Sequence, residues 1–167
     1  MAVRPLVTWP DPRLGQTAEP VRDFGPELAA LVQDLIDSLR AAPGLGITGP
    51  HIGVLSRVVV LELTPGKPET FINPVVTEAA VDLARHDEGS ISMPGVMEPV
   101  ERPARVTVRY RDAAGAEHEE TATGFRAACL QHEIDQLNGL FWLERLSRLR
   151  RDRVKTRFQK LKRGAAN

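Results

Sequence analysis

The chain has 167 residues, one Cys, and 22 basic residues against 22 acidic ones, which gives a formal net charge of zero. A chain of this length can form one domain that buries roughly 70% of its unfolded surface, so neither disulfides nor a structural metal are needed to hold a core. A single Cys excludes an intramolecular disulfide, and the N-terminus lacks the long apolar run of a signal peptide or membrane span. We therefore expect a cytoplasmic protein without membrane contact.

Hydrophobic periodicity and turn residues predict the elements of the first half of the chain. Apolar residues between Leu28 and Leu39 recur at helical spacing, and the pattern stops at Pro43 and Gly44. Residues 44–53 contain four Gly and one Pro, which is typical of a loop where backbone can approach a ligand closely. The predicted elements are an extended proline-rich opening (11–21), a helix (28–39), a loop (44–53) and two strands (57–63 and 69–76).

The second half predicts a hairpin followed by a central helix. Strand residues 106–111 alternate between apolar and polar side chains, so one face of the strand is buried and the other is exposed to solvent. His118 lies among acidic residues beside the hairpin turn and is predicted to be a solvated turn residue. The predicted elements are a strand (81–88), a turn at Pro94 and Gly95, a strand (106–111), a hairpin turn (112–117), a return strand ending near Gly124, and a helix (125–140) closed by Asn138 and Gly139.

The C-terminal stretch is basic. Ten of the 22 Lys and Arg residues lie between Arg145 and Arg163, and the apolar residues there are scattered along an amphipathic pattern. We predict a solvated basic helix that attracts polyanions without specificity for a DNA sequence. The chain is accordingly divided into a domain (1–147) and a helical extension (148–167).

The stretch from Gln131 to Gln136 carries ionisable groups inside the predicted central helix. In the pattern His-Glu-x-x-His, two His residues at i and i+4 bind one metal ion, and the Glu acts as general base on the metal-bound water. This chain keeps the first His and the base as His132 and Glu133, but the second His is Gln136.

Two further stretches give this fragment a context. Residues 44–51 (GLGITGPH) resemble the peptide deformylase motif Gly-x-Gly-Leu-Ala-Ala-x-Gln, and residues 88–92 (EGSIS) resemble its motif Glu-Gly-Cys-Leu-Ser. Residues 131–137 resemble its third motif, Gln-His-Glu-x-Asp-His-Leu. Three motifs in the family's order and spacing are a specific signal, and the resemblance runs from about Asp11 to the C-terminus. It implies an α+β fold with small, mostly antiparallel sheets around the central helix, followed by a C-terminal helix.

The resemblance implies a divalent metal site with changed ligands. The family binds zinc, iron or nickel through a Cys thiolate and two His residues, and the matching positions here are Ser90, His132 and Gln136. A neutral hydroxyl and an amide oxygen are weak donors where the family has a thiolate and an imidazole. We expect any metal to bind weakly or in an altered site, for example one formed by His51, His132 and Glu133. His86 is a second, less favoured replacement ligand.

The resemblance also implies the other site residues. Glu133 matches the general base, and the backbone N–H of Ile91 matches an oxyanion donor. His51 replaces the family's Gln, and an imidazole there can donate a hydrogen bond, act as a base or bind metal. The residues expected to contact a peptide or small molecule are Gly44, Leu45, Gly46, Glu88, Gly89 and Cys129.

Several functions remain open at this stage. The first is a divergent deformylase-like protein whose groove binds a formylated or N-terminal-methionine peptide, with ordinary deformylation lost. The second is a hydrolase of a formyl amide that uses an altered metal site or a metal-free mechanism in which Ser90 is the nucleophile and His51 or His132 its base. The third is a weak authentic peptide deformylase. In bacterial deformylases the basic C-terminal helix contacts the ribosome, so the resemblance implies a ribosomal contact here.

Overall fold

Two antiparallel sheets and three α-helices make up the fold in a computed structural model, which describes residues 2–166. One sheet has five strands in the order β1-β2-β3-β6-β7, and the other is the hairpin β4-β5. The helices are α1 (Pro26–Ala41), α2 (Gly124–Leu137) and α3 (Arg148–Ala165). The strands are β1 (Gly46–Thr48), β2 (Val58–Thr64), β3 (Lys67–Ala79), β4 (Leu83–Ser90), β5 (Met93–Pro103), β6 (Arg105–Arg111) and β7 (Glu117–Thr123).

The five-stranded sheet lies between α1 and α2. Val58 and Val60 of β2 belong to the cluster that contains the apolar face of α1, whereas Val59 and Leu61 belong to the cluster that contains α2. Because successive side chains of a strand point to opposite faces, both faces of β2 are covered by a helix. This sandwich fixes α2 against the centre of the sheet.

Helix α1 follows the predicted pattern. It begins at Pro26, directly after Gly25, and buries Leu28, Leu35 and Leu39 against the sheet. Pro suits the first helical turn because its missing N–H has no helical partner there.

The β4-β5 hairpin differs from the prediction. Pro94 and Gly95 lie inside β5 and form no turn, because the chain reverses at Ile91 and Ser92, with Ser90 opposite Met93. The left-handed φ of Gly95, +90°, explains why a turn-forming residue is found within a strand. The tight reversal places the motif around Ser90 at the end of the hairpin.

Three other local predictions are corrected. The opening segment contains a short 3-10 helix at Pro12–Gly15. The glycine-rich segment is ordered as β1 followed by a 3-10 helix at Gly49–Ile52. His118 lies in β7, where it stacks on Tyr110 and hydrogen-bonds to Asp112.

Helix α3 packs on the outer side of β5. Its Val154 and Phe158 are buried in the same cluster as Val100 and Trp142. The helix therefore contributes to the core, and it is not solvated on all sides. Whether residues 1–147 fold without it stays a prediction. No helix in the described range has the length and apolar character needed to cross a membrane.

Candidate functional site

A cleft of about 330 Å³ lies between the end of α1, the β4-β5 hairpin and α2. This volume falls in the range of small-ligand sites. Leu45, Met97 and Phe125 form a partly exposed apolar rim. The predicted site residues that line the cleft are Gly44, Leu45, Gly46, His51, Glu88, Gly89, Ser90, Ile91, Cys129, His132 and Glu133.

Helix α2 holds the predicted general base in a confined space. Glu133 is 5% exposed, and its Oε2 has no hydrogen-bond partner among the described residues. A Cβ at Gly46 of β1 would lie 2.5 Å from Oε1 of Glu133 and 2.9 Å from Cδ2 of Leu61, so only glycine leaves room for this carboxylate. Burial raises the pKa of Glu133 to about 7, although the neighbouring His132 acts to lower it. A carboxyl group with this pKa can accept and return a proton near neutral pH.

His132 is oriented by a carboxylate behind it. Its Nδ1 lies 2.7 Å from Oε1 of Glu88. Burial opposes protonation of His132, but the hydrogen bond to Glu88 and the neighbouring Glu133 outweigh this effect and raise its pKa. Burial would also raise the pKa of Glu88, yet hydrogen bonds from His132 and Arg102 hold it at about 2. Because Glu88 is ionised and can only accept, Nδ1 of His132 carries a proton, and in the neutral ring the lone pair is on Nε2.

An ion-pair network supports Glu88 from the opposite side. Arg102 donates from Nε and Nη2 to the two oxygens of Glu88, at 2.6 and 2.9 Å, and from Nη1 to Oδ2 of Asp135, at 2.8 Å. Arg145 donates from Nε and Nη2 to both oxygens of Asp135 at 2.8 Å. The network ties the hairpin to α2 and so fixes His132 relative to Ser90.

His51 is fully enclosed at the base of the cleft, where it is 1% exposed. Its Nδ1 lies 2.9 Å from the backbone nitrogen of Thr48, 3.0 Å from Oγ1 of Thr48 and 4.0 Å from Oε2 of Glu133. Its Nε2 has no hydrogen-bond partner in residues 2–166. Burial, with a contribution from His132, lowers the pKa of His51 to about 3, so the ring is neutral.

The hairpin turn places Ser90 and Ile91 at the cleft. Oγ of Ser90 accepts a hydrogen bond from the backbone N–H of Ser92 at 3.1 Å. In the described part of the chain it makes no hydrogen bond to either cleft histidine, so the serine acyl-transfer mechanism gains no support from these contacts. Burial raises the pKa of Cys129 to about 12, and the nearby Glu133 contributes to this rise. The thiol of Cys129 is therefore protonated at neutral pH.

Gln136 is the predicted site residue that does not reach the cleft. It is 2% exposed, and its Nε2 donates to the backbone oxygen of Leu14 at 2.8 Å. Within residues 2–166 no three or more His, Cys, Asp or Glu side chains are grouped so that they could hold a metal ion. The donors around His132 therefore do not fit the family's divalent ion, and neither the combination of His51, His132 and Glu133 nor His86 supplies a replacement group of this kind.

Sequence reasoning did not identify Thr48, Arg102 or Asp135 as parts of the site. Arg102 could have been found from the strand alternation, because it lies two residues after Val100 and thus on the buried face of β5. A buried Arg requires carboxylate partners, and Glu88 and Asp135 provide them.

Comparison with known proteins gives consistent results. The family model for polypeptide deformylase matches residues 3–152. A protein of Agrobacterium fabrum named peptide deformylase-like is 56% identical over 160 residues, covering 96% of this chain and 98% of the relative. A protein of Afipia carboxidovorans named peptide deformylase is 41% identical over 170 residues, covering 99% of both chains.

The fold is also that of solved deformylases. The crystal structure of a peptide deformylase from Legionella pneumophila superposes with a TM-score of 0.93, is 34% identical, and covers 99% of both chains. The deformylase of Ehrlichia chaffeensis gives a TM-score of 0.90 at 33% identity, with 99% of this chain and 100% of that chain covered. The predicted α+β fold, with antiparallel sheets and a C-terminal helix, is confirmed.

Proposed function

Because the chain belongs to the polypeptide deformylase family, we propose that it hydrolyses the formyl amide at an N-formylated peptide terminus, with Glu133 as general base and without a divalent ion. The observation that carries this proposal is a pair of buried polar atoms on cleft-lining residues, Oε2 of Glu133 and Nε2 of His51, for which residues 2–166 supply no hydrogen-bond partner. One can accept a proton from water and the other can donate to a carbonyl oxygen.

The reaction uses groups that this chain supplies. Glu133 takes a proton from a water molecule as the water oxygen bonds to the formyl carbon. Nε2–H of His51 and the backbone N–H of Ile91 stabilise the resulting oxyanion. When the C–N bond breaks, Glu133 returns the proton to the departing amine. The products are formic acid, which ionises, and a free N-terminal amine.

The substrate class follows from the cleft walls. The rim formed by Leu45, Met97 and Phe125 is apolar, and Cys129 as a neutral thiol lines the wall beside His132. Such a surface suits an apolar first side chain, as in a formyl-methionyl peptide, and does not suit an anionic one.

The loss of the family's ligands is a separate part of the proposal. Gln136 is engaged with Leu14, and Ser90 offers a hydroxyl in place of a thiolate. We propose that this member has diverged in its metal chemistry while keeping the base and the oxyanion donors. A second candidate function, binding a formylated peptide without turnover, is favoured by the same loss of strong donors.

The test measures formate release from a formyl-methionyl peptide by the purified full-length protein, with chelator and with added zinc or iron. We expect slow turnover that chelator does not abolish. Glu133→Gln should lower kcat/KM by about 10²–10⁴-fold, because it removes the base and keeps the shape. Turnover only with added metal would indicate an authentic metal-dependent deformylase. Peptide binding without formate release under any condition would favour the second candidate.

Gly46→Ala provides an independent test of the position of Glu133. The added Cβ would push against the carboxylate at 2.5 Å, and a displacement of about 1 Å at a reacting group can lower a rate by about 10²-fold. Gly66→Ala is the matched control, because Gly66 lies in an exposed turn where an added Cβ would have no atom within 4 Å, although its φ of +79° disfavours Ala. An unchanged kcat/KM in Gly46→Ala would contradict the assigned base.

We further propose that α3 is the contact surface for a ribosomal or other polyanionic partner. Three of its Arg residues are paired with carboxylates, while its remaining exposed cations have no ion pair in the described part of the chain. These unpaired cations are Arg148, Arg153, Lys160, Lys162 and Arg163. Replacing Arg153 and Lys160 by Glu should weaken ribosome co-sedimentation and reduce its salt dependence. Co-sedimentation that is unchanged by both salt and these substitutions would refute the proposal.

A further inference from the structure

The contacts of His51 define which of its nitrogens carries the proton. The backbone N–H of Thr48 points at Nδ1 of His51 across 2.9 Å, and an N–H group can only donate. Nδ1 must therefore be the unprotonated nitrogen. A neutral imidazole carries one proton, which is then on Nε2, the nitrogen of this cleft-lining ring that has no hydrogen-bond partner among the described residues.

The side chain of Thr48 holds the ring in this position. Its Oγ1 lies 3.0 Å from Nδ1 of His51, and the two residues form a reciprocal capping box at the start of the 3-10 helix Gly49–Ile52. Both residues are almost entirely buried, so no solvent competes for these contacts.

We infer that Thr48 is a positioning residue that fixes His51 as the Nε2–H tautomer, so that His51 presents a hydrogen-bond donor to the cleft. A base or a metal ligand needs a lone pair on the nitrogen that is not engaged with Thr48, and this tautomer has none there. The opposite tautomer would place two N–H groups against each other inside the protein. Of the three roles open to His51, donor, base and metal ligand, only the donor remains.

Both residues of this contact depart from the glycine-rich motif. Thr48 stands where the motif has Ala, and His51 stands where it has Gln. The Thr48 hydroxyl and the His51 ring belong to one hydrogen-bonded unit. The ligand atom that meets His51 must be an acceptor. If the proposed function holds, on which this last step rests, that atom is the formyl oxygen.

The tautomer can be measured without reference to activity. Long-range ¹⁵N–¹H NMR spectra of the full-length protein labelled with ¹⁵N-histidine distinguish the protonated ring nitrogen, and the signals of His51 are identified by their loss in His51→Gln. We expect a proton on Nε2 and none on Nδ1. A proton on Nδ1, or a signal averaged between the tautomers, would overturn the inference.

Two variants test the role of the Thr48 side chain. Thr48→Val keeps the backbone N–H and the shape but removes the hydroxyl, so the Nε2–H of His51 should exchange faster with water. The affinity for N-formylmethionine should fall about five-fold, as expected for one lost neutral hydrogen bond. Thr48→Ser should restore both measurements. If Thr48→Val matches the wild type in both, the side chain does not position the ring and this part of the inference is wrong.

The outcomes of the inference and the proposed function are separable. If the wild-type protein neither binds N-formylmethionine nor releases formate from a formyl-methionyl peptide, the proposed function is refuted. The NMR spectra of wild type, Thr48→Val and Thr48→Ser still decide the tautomer and whether the Thr48 hydroxyl holds the ring.

Discussion

Restoring the family's ligands should convert the cleft into a metal site. The double substitution Ser90→Cys and Gln136→His returns a thiolate and a second imidazole to positions around His132. Residues 132 and 136 lie one helical turn apart on α2, so their side chains share a face. We expect the double variant to bind one zinc ion and each single variant to bind little.

The expected changes in stability follow from the contacts of Gln136. Its replacement removes the hydrogen bond to the backbone oxygen of Leu14 inside the protein. Leaving a buried carbonyl unpaired costs about 1–3 kcal/mol, so the metal-free double variant should melt roughly 2–12 °C below the wild type. Zinc at 100 times its Kd stabilises the folded state by about 2.7 kcal/mol, which should raise the Tm of the variant again by roughly 5–11 °C.

The assay combines metal analysis with thermal unfolding in zinc and in chelator. Ser90→Cys with Gln136→Leu is the matched control, because it loses the contact to Leu14 but gains only one donor. The wild type and this control should show no zinc-dependent rise in Tm. A double variant that binds no metal, or a wild type that responds equally to zinc, would refute the residue-by-residue assignment of the lost ligands.

Further predictions concern the C-terminal helix. Phe158→Ala should lower the free energy of unfolding in denaturant by about 3–5 kcal/mol, because Phe158 is only 3% exposed. Leu161→Ala, at a position that is 49% exposed, should change it by less than about 0.5 kcal/mol. Equal effects of the two substitutions would show that α3 is not part of the core. Burial raises the pKa of Glu98, but hydrogen bonds from Arg150 and Arg157 outweigh it and lower the pKa below the ordinary 4.5. The contribution of these pairs is therefore present above pH 4.5 and is lost as the pH falls below it. The protection factors of the α3 amides, which correct for the intrinsic pH dependence of hydrogen exchange, should fall there in the wild type and change less in Glu98→Gln.

The helices and the β2-β3 and β6-β7 hairpins were predictable because their signals are local. The apolar spacing from Leu28 to Leu39 defines α1, and Asn138 and Gly139 mark the end of α2. The short elements of the glycine-rich segment were not predictable in this way. β1 has three residues, too few for a periodic pattern, and it is held by pairing with β2.

The candidate site was predictable as a set of residues but not as a hydrogen-bonding arrangement. The motifs indicated that His51, Ser90, His132 and Glu133 would meet, and the structure places all four around one cleft. The motifs could not indicate that Gln136 turns to the opening segment, since its partner, the oxygen of Leu14, is backbone and is 122 residues away. Long-range backbone contacts of this kind leave no mark on the side-chain pattern.

The two cleft histidines differ at the same ring atom, Nε2. The rate of the proposed reaction is limited by the catalytic groups that the cleft supplies. Glu88 leaves the lone pair of neutral His132 on Nε2, whereas Thr48 leaves the proton of His51 on Nε2. A general base contributes about 10²–10⁴-fold to a rate, and each of the two oxyanion donors, His51 and Ile91, contributes about 10²–10³-fold. Together they account for roughly 10⁶–10¹⁰-fold, in the lower half of the accelerations that enzymes reach. A deformylase-type hydrolase that relies on these groups alone should therefore be slow, and a rate far above this range would mean that the cleft acquires a stronger electrophile than its own side chains provide.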